Sequence, residues 1–281
     1  MVFCIWLAGT SGVSSARLLP RGATQNPPGG GKKKLPPGAV GFEQFAGRDA
    51  ADKLIKGAAT RRHSSPARMK KPPAPPRPVD QRQASIREGE QQYAAGNFEA
   101  AVAAYRKAIE LSMGTASSDN GELHYALGKI YSDMERYEDA VTKFQYASKR
   151  PFSEDVSLYA TYELGNAYLD LRKYAEAITA YEKTLKILNG EWKALKPKLS
   201  TDYLPYPHYN MGLAHLGLKQ KERAVADFEK AIELKPDFAE ARFNLGLTLW
   251  QSGRAEAATA QEKKLKTLNP ELAGQLAALF K

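Results

Sequence analysis

A unit of about 35 residues recurs five times between Gln81 and Pro270, and a chain written this way folds as an array in which each unit buries its apolar face on its neighbours. Each copy carries a glycine, namely Gly89, Gly128, Gly165, Gly212 or Gly246. Twelve residues later stands an alanine in every copy, Ala101, Ala140, Ala177, Ala224 or Ala258. Four residues beyond it is an aromatic in the first four copies, Tyr105, Phe144, Tyr181 or Phe228, and Glu262 in the fifth.

Within a copy the apolar residues fall at helical spacing, as in Leu164, Tyr168 and Leu171, then Ala177, Ile178, Tyr181, Leu185 and Leu188. The break between the two runs predicts two antiparallel helices joined by a short turn. A glycine inside a helix costs about 1 kcal/mol against alanine, so its return at one register points to close helix contact.

These stretches resemble the tetratricopeptide repeat. The best copies are LGKIYSDMERYEDAVTKFQYA from Leu127, LGNAYLDLRKYAEAITAYEKT from Leu164, MGLAHLGLKQKERAVADFEKAIELKP from Met211 and LGLTLWQSGRAEAATAQEKKLKTLNP from Leu245. The resemblance implies an all-α fold over residues 81–281, a right-handed α-solenoid of about five helix pairs. A capping helix at 270–281 is expected from Leu272, Leu276, Leu279 and Phe280 on one stripe. Glycine to glycine the steps are 39, 37, 47 and 34 residues. In the long step Leu185, Leu188, Trp192 and Leu195 keep helical spacing, which predicts a second helix that runs on to Pro197, then a loop from Ser200 to Pro207. Trp192 either docks a partner or packs on the next repeat.

Residues 17–80 are a different material, a largely disordered tail and linker. Residues 1–80 hold 14 of the 41 Lys and Arg but 4 of the 31 Asp and Glu, a balance of +10, and 11 of the 17 prolines. The repeats balance to zero. Segments Asn26–Pro37 and Arg61–Pro78 are too rich in Gly, Pro and charge to bury a core, and KKPPAPPRP is expected as an extended spacer. Between them Gly41–Thr60 has the pattern of a short amphipathic helix, either a transiently helical linker or a linear peptide for a partner or for this chain's own repeats. Residues 1–16 carry no charge, and Val2–Ala8 followed by Ser14 and Ala16 suits a signal peptide with a truncated n-region. The expectation is export, periplasmic or secreted in a bacterium, with the cytoplasm as the alternative. That uncharged stretch is too short and too diluted for a transmembrane span.

The chemistry of catalysis has no carrier. Cys4 is the only cysteine, so no disulfide or cysteine metal site forms within one chain. His208 and His215 lie seven apart on one helix, about 10.5 Å along the axis, too far to share one ion, and His63 has no evident partner. No phosphate-binding, dinucleotide-binding, nucleophile-elbow or zinc-protease pattern occurs, and GGGKKK lies outside any strand-to-helix context. The expectation is a non-enzymatic protein with no cofactor and no metal.

The candidate site is therefore a surface, and the resemblance implies that first helices line a concave groove. Three residues before the glycine stand Tyr125, Tyr162, Tyr209 and Phe243, one aromatic in each of four copies. They are either rigid contacts for a ligand or wedges between neighbouring helices. Two before it stand Asn210 and Asn244, and one after it Lys129 and Asn166, whose polar groups suit the backbone of an extended peptide. Leu169, Leu216 and Trp250 extend the apolar strip. Some relatives hold a terminal carboxylate with Lys, Asn and Arg, but here Ile86, Glu90, Ala126 and Glu163 stand nearest to those places, so that clamp is missing. The expected partner is a protein or peptide bound by an adaptor or scaffold. The alternative is a polycationic tail that binds nucleic acid, anionic lipid or an envelope polymer, with the repeats as a passive head, although no specific nucleic-acid motif is present.

Overall fold

A computed structural model describes residues 78–112, 120–149, 154–190, 193–194 and 196–281. The expectations placed on residues 1–16, on the basic tail up to residue 77, on Gly41–Thr60 and on Trp192 lie outside the described residues. Among the described residues the elements are twelve α-helices with no strand. They are α1 (Pro78–Ala94), α2 (Phe98–Glu110), α3 (Gly121–Asp133), α4 (Tyr137–Lys149), α5 (Glu154–Asp170), α6 (Tyr174–Asn189), α7 (Pro197–Tyr203), α8 (Pro205–Gly217), α9 (Lys221–Leu234), α10 (Ala239–Gln251), α11 (Ala255–Leu268) and α12 (Pro270–Leu279). They form two compact units that divide between Ala167 and Tyr168, inside α5.

In the N-terminal unit α1 packs on α2 and α3 on α4. The glycine of each first helix faces the ring of the second helix. A Cβ on Gly89 would stand 2.9 Å from Tyr105, and one on Gly128 2.5 Å from Phe144. Tyr105, Phe144, Ala101 and Ala140 are all fully buried. A missing side chain on one helix is thus filled by a ring from its neighbour, which draws the backbones together. Burial, with Glu90 nearby, pushes the Tyr105 phenol up, so it stays neutral in its slot.

The turn inside each pair has one geometry. The residue seven places after the glycine has positive φ in all five copies: Gly96, Glu135, Arg172, Lys219 and Gly253. The next amide bonds back five residues, from Asn97 to Gln92, Arg136 to Tyr131, Lys173 to Tyr168, Gln220 to His215 and Arg254 to Leu249, at 2.8 to 2.9 Å. This left-handed closure satisfies the last carbonyls of the first helix and reverses the chain.

In the C-terminal unit α8 packs on α9, α6 and α7, and α10 packs on α11. A Cβ on Gly212 would stand 2.6 Å from Phe228, the same contact again. The fifth copy, which has Glu262 in place of the ring, closes differently. Leu276 of α12 lies 2.7 Å from where a Gly246 Cβ would be, so the end helix supplies the apolar group that the copy lacks. Glu262 stays buried by pairing with Lys266 at 3.0 Å. α12 covers Phe243, Leu247 and Leu265 with Leu272, Ala273 and Leu276, which is the expected cap.

The 47-residue step differs from the sequence expectation. α6 stops at Asn189 and does not run on to Pro197, and its end is closed by the Gly190 amide on Lys186 O at 3.0 Å. The segment expected as a loop is helical on both sides of Leu204. Pro197 and Pro205 each start a helix, where a first-turn residue needs no N–H. Ser200 Oγ donates to Leu188 O at 2.6 Å and Tyr203 is buried, so α7 is tied to the end of α6.

Gly128→Ala forces a methyl into the Phe144 ring. It lowers stability by about 1–3 kcal/mol, read as a fall in the urea midpoint, and adding Phe144→Leu to the same chain recovers part of the loss.

Candidate functional site

The first helices carry the candidate residues, and the structure places all eight of them inside. Tyr125, Lys129, Tyr162, Asn166, Tyr209, Asn210, Phe243 and Asn244 have between 0 and 6% of their surface exposed. Tyr125 stands between Phe144 at 5.9 Å and Tyr159 at 6.4 Å, centroid to centroid. Tyr209 stands between Phe228 at 5.8 Å and Phe238 at 4.9 Å. Phe243 belongs to the cluster that α12 closes. Each of these three rings wedges between a helix of its own copy and a later segment of the chain.

The polar candidates are held by their neighbours. Asn244 Nδ2 donates to the Tyr209 hydroxyl at 2.9 Å, which joins α8 to α10 through two fully buried groups. Asn166 Nδ2 donates to Glu163 Oε2 at 2.9 Å within α5. Tyr93 donates its hydroxyl to Asp133 Oδ2 at 2.6 Å, a phenol-to-carboxylate link between α1 and α3. A buried amide or hydroxyl paired in this way sets the register of successive first helices.

The accessible row lies four places after the glycine. Tyr93, Ser132, Leu169, Leu216 and Trp250 are half-buried in their five copies, while the residues three places before the glycine are closed off. In the C-terminal unit this row is apolar, and Leu213, one place after Gly212, adds to it. Sequence reasoning placed the aromatic row in the site and Leu169, Leu216 and Trp250 only as an extension of its apolar strip. A helix turns about 100° per residue, so offsets of minus three and plus four share a face, and which of them the neighbour covers is a packing outcome.

The family model for the tetratricopeptide repeat matches residues 86–154, 125–191 and 209–273, more than half of the chain. The chain belongs to the tetratricopeptide repeat family. Solved tetratricopeptide structures share the fold. MamA from Desulfovibrio magneticus RS-1, residues 41 to the end, matches with a TM-score of 0.56 at 21% identity, over 68% of this chain and 97% of that one. YrrB, a tetratricopeptide protein with an unusual peptide-binding site, matches at 0.52 and 21%, over 69% and 90%. PilF of Pseudomonas aeruginosa matches at 0.51 and 20%, over 72% and 86%. No curated protein sequence matches significantly.

The histidines of these tetratricopeptide helices have partners that spacing alone does not show. His215 Nδ1 lies 2.7 Å from Asp227 Oδ2, and His208 Nδ1 lies 3.7 Å from Asp227 Oδ1. The carboxylate comes from α9 and meets both rings of α8. Among the described residues no cluster of three or more His, Cys, Asp or Glu is arranged to hold a metal ion, and no helix is long and apolar enough to cross a membrane.

His124 stacks on Tyr146 with centroids 3.9 Å apart. Burial first, and then the charge of Lys143, lowers its pKa from 6.5 to about 4. The folded chain therefore resists a proton that the unfolded chain accepts, and stability present above pH 6.5 is lost as pH falls toward 4. His124→Phe keeps the stack and removes that proton. Urea midpoints at pH 7 and pH 4.5 are expected to show a smaller drop for the variant, by on the order of 1–2 kcal/mol.

Proposed function

We propose that this chain is an adaptor that binds a peptide or a partner's helix along its first helices, and that the contact runs through the row four places after each glycine. The observation that carries this reading is the contrast within one helix face. The aromatic row is used up in joining successive helices, whereas Leu169 and Leu216 are only partly buried, at matching register. The fold is that of protein-interaction scaffolds, which supports a protein or peptide partner. A half-exposed leucine gains from being covered, and leucines repeating along an array suit an apolar stripe on a ligand. The tyrosines act behind the row, where they hold its spacing.

Two variants separate this reading from one in which the aromatics touch the ligand. Leu216→Gln combined with Leu169→Gln is expected to weaken binding of the partner that co-purifies with the full chain at least tenfold, with helicity and melting temperature little changed. Tyr209→Ala is expected to destabilise the chain by about 3–5 kcal/mol, since it empties a core slot. Full binding by the double leucine variant, with loss of binding by a stable Tyr209→Ala chain, overturns the proposal.

A further inference from the structure

We propose that the basic, proline-rich segment from Arg61 to Arg77 docks on the first-helix face of this chain's own N-terminal unit, along α1, α3 and the part of α5 that ends at Ala167. The inference goes beyond the partner site at Leu169 and Leu216, neither of which belongs to this face. Charge is divided unequally between the two helices of the N-terminal repeats. α1, α3 and that part of α5 hold eight acidic residues and three basic ones, whereas α2 and α4 hold four of each.

The excess lies on one side of those helices. Counted from the glycine of each copy at about 100° per residue, Asp155, Glu90, Glu122, Asp133 and Glu163 fall between about 80° and about 160°, beside the row four places after the glycine at about 40°. Arg87 and Lys129 share that sector, which leaves it three negative charges in excess. The same offsets in α8 and α10 hold a single acid, Glu240. The helices stand side by side, since Tyr93 of α1 bonds to Asp133 of α3 and Tyr125 of α3 packs on Tyr159 of α5. Glu122 is exposed and Glu90, Asp133 and Asp155 are half-buried, so the field of these carboxylates reaches solvent on this side.

The segment that complements this face is the one that leads into it. Residues 61–77, outside the described residues, carry Arg61, Arg62, Arg68, Lys70, Lys71 and Arg77 with no acid, and they end where Pro78 opens α1. The four prolines between Lys71 and Arg77 favour an extended chain, and 17 residues at about 3.1 Å each span about 50 Å. Adjacent helices pack about 8–10 Å apart, so the crossing from α1 to α5 is about 20 Å and lies within reach. A tethered segment meets the face at an effective concentration in the millimolar range, so ion pairs that are weak one by one suffice. Half-buried Tyr93 offers a ring to the prolines, and its neighbouring carboxylates answer the lysines and arginines.

The test is carbodiimide cross-linking of lysine amines to carboxylates in the full chain at low salt, read by peptide mass spectrometry. An equal mixture of isotope-labelled and unlabelled chains tells links within one chain from links between two. Links from Lys70 and Lys71 to Glu122 and Asp155 within one chain are expected at least fivefold above links to Glu110 and Glu138, exposed acids on the second helices of the same unit. Salt at about 0.5 M is expected to reduce them at least threefold. So is a chain carrying Arg61→Gln, Arg62→Gln, Arg68→Gln and Arg77→Gln, which keeps both lysines and alters no described helix. Links spread evenly over first and second helices, links only between chains, no links, or links unmoved by salt and by the arginine substitutions each overturn the proposal. No outside partner enters this assay, so its failure leaves the reading of Leu169 and Leu216 untouched.

Discussion

The contact between a bare glycine of one helix and an aromatic ring of the next closes the first, second and fourth repeats. At Gly89, Gly128 and Gly212 the ring occupies the volume in which a Cβ would stand, and the alanine one turn before it on the second helix is fully buried. Such a contact fixes the separation of the two helices to within a fraction of an ångström, since a larger residue clashes and a smaller ring leaves a void. The left-handed turn seven places on is present in all five copies, the ringless fifth included. Two helices that close need the chain to reverse within a few residues, and an amide bonded back five residues does that even where Glu135, Arg172 or Lys219 must take a conformation that suits glycine. Where the ring is missing, in the fifth copy, a leucine from α12 restores the contact.

That closure decides which residues are left for function. Once rings fill the interior of each pair, the aromatic three places before the glycine lies between that pair and the next segment of the chain. Tyr125, Tyr209 and Phe243 each touch rings or leucines on both sides. The amide of Asn244 joins the same layer through Tyr209. The row four places after the glycine stays half-buried, polar at Ser132 in the N-terminal unit and apolar at Leu169, Leu216 and Trp250 in the C-terminal unit. In the last copy that row is already covered, by the stack of Phe280 on Trp250.

The repeat, its two helices and the cap were legible in the sequence because the residues that make them stand at fixed distances along the chain. Gly128, Ala140 and Phe144 meet within one helix pair, and their spacing is a property of the pair. Contacts between pairs leave no such record. Asp227 meets both His208 and His215, yet nothing in the spacing of the histidines points to a carboxylate on the next helix. Gly217 has no counterpart in the repeat pattern, but the Tyr174 ring stands where its Cβ would be. The end of α6 at Asn189 was hidden for a related reason. Leu185, Leu188 and Leu195 keep helical spacing, but Gly190 closes the helix and the prolines at 197 and 205 restart it twice. Exposure was hidden most of all, since the two apolar rows share a face and only packing tells them apart.

The most direct test of the account is photo-crosslinking in cells that make the full chain, with a photoreactive residue placed in turn at Leu169 and Leu216 on first helices and at Arg223 and Lys230 on the exposed side of α9. Adducts to a partner from the two leucine positions, with none from the two on α9, are the predicted result. Adducts from Arg223 and Lys230, with none from Leu169 and Leu216, would contradict the account, because the working surface would then lie on the second helices.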